Sequence, residues 1–160
     1  GDKIPHELIK KIRDASTFNE GYACSRQLGF SFLDMAWHTI TNPFEGDIND
    51  FECRAMLKTE LFPISESLNM SCSFTHLFGG GYAAGYYGYK WAEVLDADAF
   101  QYFRESGIFN PEVADSFRKN ILEKGESDKP MNLYIKFRGR EPSMKAFLER
   151  SGLNEQPLTP

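Results

Sequence analysis

Apolar residues recur at helical spacing along almost the whole 160-residue chain. After Pro5, Leu8, Ile9, Ile12 and Ala15 share one face, which predicts a first helix to about residue 17. From about Asn19 to His38, Tyr22, Leu28, Phe32, Met35 and Ala36 keep the same period across Gly21 and Gly29. Asn42-Pro43 and Gly46 then break it. Asp47 is the expected N-cap of a third helix through about Leu61, with Phe51, Ala55 and Phe62 on one side and Pro63 as its stop. Residues 63–81 are polar, rich in Ser and Gly, and read as loop. A long helix is expected from Tyr82 to Ser106, ending at Gly107. Asn110-Pro111 joins an N-cap to a first-turn proline and opens another helix, which Gly125 closes. Asp128 and Pro130 begin the next, ending at Gly139, and Ser143 caps a last short one with Gly152 as its C-cap. No strand-like alternation and no internal repeat interrupts this pattern. The expected fold is all-α, one helical domain over residues 1–153 with a polar tail at 154–160.

Composition narrows the partners. The length suits a single domain able to bury a real core. A net charge of −5 and a pI near 5.2 carry no electrostatic footprint of a nucleic-acid or anionic-membrane partner. No apolar run approaches the ~20 residues that span a bilayer, and no signal peptide is visible. Cys24, Cys53 and Cys72 are odd in number and widely spaced, as expected of reduced thiols in a cytoplasmic protein, not a disulfide frame or metal knuckle. A start at Gly1 without Met reads as a piece of something longer.

The densest chemistry lies in Phe74-Thr-His-Leu-Phe-Gly-Gly-Gly-Tyr-Ala-Ala-Gly-Tyr-Tyr-Gly-Tyr89. On a helix, Tyr82, Tyr86 and Tyr89 would fall within about 60° of one another. Their hydroxyls, with the His76 imidazole, are donors able to stabilise a developing oxyanion. Half-buried packing is the other reading of such a stripe, with Tyr87, Trp91 and Leu95 offering a separate packing face. Gly79, Gly80 and Gly81 formally open a G-x-G-x-x-A match, but no buried strand precedes it and no P-loop lysine follows. They read as a plain turn or as a hinge that changes shape when a ligand arrives. Glu93, Asp96 and Asp98 read as a solvated helix flank. Arg138 and Arg140 offer either a carboxylate fork or ion pairing near Glu141. Ser65, Ser71 and Ser73 lack a nucleophile's partners. Lys10, Lys11 and Arg13 belong to the exposed side of the first helix.

Residues 74–103, from Phe-Thr-His-Leu-Phe-Gly-Gly-Gly-Tyr to Phe-Gln-Tyr-Phe, resemble the C-terminal signature of the thimet oligopeptidase family of zinc metallopeptidases, of the oligopeptidase A and peptidyl-dipeptidase type. The likeness continues through Gly107-Ile-Phe-Asn110, Phe117-Arg-Lys-Asn-Ile-Leu122 and Phe137-Arg-Gly-Arg-Glu-Pro142 to Ser151-Gly-Leu153. Upstream it takes in Ile4-Pro5, Phe18-Asn19, Asp34-Met-Ala-Trp-His38 and Phe51-Glu52, and Gly85 resembles the bacterial branch. The resemblance implies a mostly helical, channelled peptidase acting on short peptides, with zinc held by His-Glu-x-x-His and a downstream Glu. It implies that Tyr82 and Tyr89 hydrogen-bond the substrate or tetrahedral intermediate and that His76 contacts the substrate backbone. Tyr86 would share that surface, and Gly79, Gly80 and Gly81 would form the loop closing over bound peptide.

The chain itself lacks His-Glu-x-x-His. Its nearest approach, His6-Glu7-Leu8-Ile9-Lys10, puts a cationic lysine where the second ligand belongs, and His38 and His76 show no carboxylate or cysteine partner at ligand spacing. Zn²⁺ is therefore expected in the full-length enzyme and not in this chain, which alone is expected to be inactive. The expected partners are short peptides and the N-terminal remainder of the same polypeptide, with neither nucleic acid nor membrane. The alternative is a self-sufficient helical module that binds peptide or protein without chemistry.

Overall fold

The computed structural model describes residues 3–63 and 69–153, and every regular element within them is helical, as the periodicity predicts. The expected tail at 154–160 and Ser65 lie outside the described residues. Contacts divide the chain into two compact units, Gly1–Lys90 and Trp91–Pro160.

In the first unit, α1 (His6–Ser16) starts where the Pro5 carbonyl accepts the amides of Leu8 and Ile9 at 3.0 and 3.2 Å. Its acidic first turn (Glu7) and basic last turn (Arg13) both complement the helix dipole. No α1 residue is buried, so Leu8 and Ile12 stay exposed. Helix α2 (Glu20–His38) follows a left-handed Asn19, and α3 (Ile48–Met56) is capped by Asp47, whose side chain accepts the Asp50 amide at 3.0 Å. Helix α3 ends at Met56, short of the expected Leu61. The Met56 carbonyl takes the Thr59 amide at 2.9 Å, the Glu60 amide at 3.2 Å and the Thr59 hydroxyl at 2.9 Å, which tightens the chain out of the α ladder.

The stretch expected to be loop carries a four-residue helix, α4 (Met70–Ser73), and a 3₁₀ turn, Thr75–Leu77. Tertiary context makes α4. The buried Glu52 carboxylate on α3 accepts the Met70 and Ser71 amides at 3.0 and 2.5 Å, satisfying first-turn donors that local sequence leaves open. The core of this unit comprises Phe30, Leu33, Met56, Leu77 and Tyr86, with Trp37, Phe51 and Phe74 packed against it. Each such apolar side chain removed from water stabilises the fold by about 1.5–3 kcal/mol.

Helix α5 (Gly88–Ser106) starts at Gly88 and not at Tyr82, and carries the chain into the second unit. There Asn110 caps α6 (Pro111–Phe117) through the Glu112 amide at 2.9 Å, and a π-helical turn, Arg118–Leu122, extends it. Helix α7 (Pro130–Arg138) ends at Gly139 with φ 82°, and α8 (Lys145–Arg150) begins where Ser143 Oγ accepts the Lys145 amide at 3.2 Å. Leu133, Phe137, Val113 and Phe147 are buried in this unit.

Asp98 corrects the solvated-flank expectation. It is 1% exposed and accepts the Tyr134 hydroxyl at 2.6 Å and Arg140 Nη2 at 2.7 Å, with Arg138 Nε 3.5 Å away. Burial works to raise its carboxyl, but the donors Arg140 and Tyr134 and the two guanidinium charges outweigh that and hold it below the usual range. Both arginines are thus engaged in internal ion pairs, Arg138 also with Glu105 at 3.0 Å.

Candidate functional site

The aromatic cluster belongs to the first unit and is built on the chain between the 3₁₀ turn and α5. Leu77, fully buried, pins the start of this segment, and the Gly79 amide closes on the Thr75 carbonyl at 2.7 Å. Gly80 and Gly81 then adopt φ of 70° and 80°, a left-handed backbone that side-chain-bearing residues seldom take. A Cβ on Gly81 would meet nothing within 4 Å, so the glycine answers to backbone conformation and not to crowding. Ala84 is also left-handed, at φ 56°.

Two consecutive four-residue turns, 82–85 and 85–88, replace the expected helix here. The Gly85 amide bonds to the Tyr82 carbonyl at 2.8 Å, and the Gly88 amide to the Gly85 carbonyl at 3.0 Å. What fixes them is Asp34 of α2, a carboxylate with 0% exposure. Its Oδ1 accepts the Ala84 amide and its Oδ2 the Tyr86 amide, both at 3.0 Å. His38, one helical turn on, brings Nδ1 to 3.0 Å from the same Oδ1. The expectation that His38 lacks a carboxylate partner is therefore wrong: an Asp at i−4 on one helix face was the readable signal.

Although Tyr82 and Tyr86 precede α5, the turns still gather the three rings. Tyr82 and Tyr89 stack with centroids 5.4 Å apart and planes 21° from parallel, and Tyr86 stands edge-on to Tyr89 at 5.1 Å. His76 lies 5.2 Å from Tyr82, 6.0 Å from Tyr86 and 6.2 Å from Tyr89, stacked from behind on Phe74. Exposure separates the phenols. Tyr82 and Tyr89 are each 41% exposed, whereas Tyr86 is 8% exposed and donates its hydroxyl to Gln27 Oε1 at 2.9 Å. Burial pushes the Tyr86 phenol up, against the pull of the Gln27 hydrogen bond and the Lys90 charge. For Tyr89, hydrogen bonding with Tyr82 is the main cause of a raised phenol pKa, with burial adding to it. Tyr87, expected in a packing face, points outward instead.

The cluster thus presents two stacked, half-exposed phenols and an imidazole at one surface, a set of hydrogen-bond donors suited to a carbonyl oxygen gaining charge. Among the described residues no group of three or more His, Cys, Asp or Glu side chains is placed to hold an ion. Lys10, at the second-ligand position of His6-Glu7-Leu8-Ile9-Lys10, pairs with Asp14 at 2.6 Å on exposed α1.

The family model described as Peptidase family M3 matches residues 1–153. The chain belongs to peptidase family M3. This M3 chain is 42% identical over 158 residues to the organellar oligopeptidase A, chloroplastic/mitochondrial, of Arabidopsis thaliana, covering 96% of this chain and 20% of that protein. It is 42% identical over 155 residues to oligopeptidase A of Escherichia coli and 41% identical over 156 residues to the dipeptidyl carboxypeptidase of the same organism, covering 96% of this chain and 23% of each relative. The chain spans between a fifth and a quarter of the length of these relatives. The resemblance drawn from residues 74–103 therefore stands at the level of the family.

Proposed function

We propose that this M3 chain supplies the substrate-facing phenols of a zinc-dependent peptidase that hydrolyses short peptides, working with the N-terminal remainder of a longer cytoplasmic polypeptide. One observation carries this reading: Tyr82 and Tyr89 stack at 5.4 Å with their rings half open to solvent, beside His76 and behind a left-handed glycine pair. A peptide carbonyl attacked by water becomes a tetrahedral C–O⁻, and a phenol O–H strengthens its hydrogen bond only as that charge appears. Tyr89 and Tyr82 fill that donor role, and His76 meets the peptide backbone alongside them. Tyr86 completes the same surface, with its hydroxyl turned to Gln27. Gly79, Gly80 and Gly81 let the segment fold over bound peptide. Zinc, when bound, supplies an activated water. Its ligands are assigned in this reading to the remainder of the polypeptide.

In the full-length enzyme, Tyr89→Phe should lower kcat by about 10²–10³-fold, the range for losing one oxyanion donor, with unchanged thermal stability. A kcat equal to wild type would reassign Tyr89 to packing and sink the reading.

A further inference from the structure

We infer that Asp34 is a positioning residue for the phenol pair: its carboxylate clamps the Ala84–Tyr86 backbone so that Tyr82 and Tyr89 hold their stacked arrangement while the glycines before them move. The inference rests on the functional reading above and adds to it a residue on a different helix. Asp34 is fully buried, yet both its oxygens are spent on amides of one short segment, Ala84 at 3.0 Å and Tyr86 at 3.0 Å. Each phenol is one backbone hydrogen bond from that clamp. The Gly85 amide, between the two clamped residues, bonds to the Tyr82 carbonyl at 2.8 Å, and the Tyr89 amide bonds to the clamped Tyr86 at 3.2 Å.

The clamp also explains how a non-glycine holds a left-handed backbone at Ala84 (φ 56°), a conformation that persists only where its surroundings over-determine it. His38 Nδ1 lies 2.7 Å from the Asp34 backbone carbonyl and 3.0 Å from Oδ1, which places the imidazole against the carboxylate. Upstream the picture reverses: Gly80 and Gly81 are exposed, and open space surrounds Gly81. The segment therefore divides at Tyr82 into a free hinge and an anchored platform. Misplacing a donor by about 1 Å can cost 10²-fold in rate, which sets the scale of what the clamp protects.

The test uses the full-length protein with Asp34→Asn, Tyr89→Phe and the double variant, assayed on a short fluorogenic peptide. Asn keeps the shape but replaces one acceptor oxygen with a donor, so one clamped amide loses its partner. Asp34→Asn should lower kcat by about 10–100-fold while KM moves less than about 3-fold. In the Tyr89→Phe background Asp34→Asn should cost a smaller factor than it costs the wild type, because the clamp then positions Tyr82 alone. A wild-type kcat in Asp34→Asn, or losses that multiply in the double variant, overturns the clamp while the role of Tyr89 stands. If Tyr89→Phe itself leaves kcat unchanged, the functional reading falls, and amide exchange judges the clamp by itself. In wild type the Ala84 and Tyr86 amides should exchange at least about tenfold more slowly than those of Gly80 and Gly81. Equal rates overturn the inference even if the Asn variant fails to fold.

Discussion

Tyr89 is less acidic than a free tyrosine chiefly because of a neighbour. Hydrogen bonding with Tyr82 is the leading cause of its raised pKa, and the Tyr82 and Tyr86 rings beside it act in the same direction. A phenol whose pKa lies above the ordinary 10.0 stays protonated, and so remains a donor, to higher pH than a free tyrosine. With ring-labelled tyrosine followed by NMR, Tyr89 should titrate above 10.0, and Tyr82→Phe should move it down toward that value. Any alkaline loss of kcat that depends on Tyr89 should then set in at lower pH in the variant. A Tyr89 titration indifferent to Tyr82 would break the pairing. The company these residues keep is legible from one segment, since a histidine and three spaced tyrosines in sixteen residues invite a cluster. Its geometry is not, because the carboxylate that folds residues 84–86 into turns lies about fifty residues away on α2. Without it, i, i+4, i+7 spacing reads as a helix. Helical spacing groups the right rings for the wrong local reason.

Among elements, the early end of α3, the presence of α4 and the late start of α5 turn on side chains from another helix or on one crowded carbonyl. Helices with strong local signals, such as α1 behind Pro5 and α7 ending at Gly139, begin and end close to where their caps predict, and α6 begins at its Asn110-Pro111 cap but gives way after Phe117 to the π-helical Arg118–Leu122, short of the expected Gly125. Helix α4 exists because Glu52 of α3 holds its first amides, and no local pattern encodes that. The meeting of α2 with the end of α3 makes a quantitative case. A Cβ on Gly29 would stand 2.8 Å from Thr59 Oγ1 and 3.2 Å from Met56 Cε. Alanine there gains about 1 kcal/mol in helix propensity but overpacks the contact, at a cost of about 1–3 kcal/mol. The Met56 methyl can swing aside, but Thr59 Oγ1 is tied to the Met56 carbonyl at 2.9 Å, so the clash should win. Urea unfolding should show Gly29→Ala lowering the midpoint, and adding Thr59→Ala should recover it by removing the obstructing atom. If Gly29→Ala raises the midpoint on its own, the close approach of α2 to the end of α3 is not what keeps glycine at this position.

At the scale of the whole chain, the question is whether 160 residues that span 20–23% of their relatives' length can carry the chemistry alone. A catalytic zinc takes three protein ligands and an open position. Among the described residues none of the three histidines stands in a group of three or more potential ligands. His6 lies on exposed α1, where the lysine one turn later is paired with Asp14. His76 is surrounded by the rings of Phe74, Tyr82, Tyr86 and Tyr89. His38 has Asp34 beside it, but that carboxylate already holds two amides, and one imidazole with one committed carboxylate falls short of a ligand set. The purified chain, equilibrated with zinc and then desalted, should retain well under one equivalent by elemental analysis and should not cleave a fluorogenic peptide. Full-length enzyme treated in parallel should do both. Stoichiometric metal with turnover in the short chain would move the catalytic centre onto these residues and undo the division of labour argued from the donor set. Metal-free inactivity in the short chain would be trivial if it were unfolded. The same sample must therefore melt cooperatively, as the buried Phe30–Leu33–Met56–Leu77 core requires of a folded first unit.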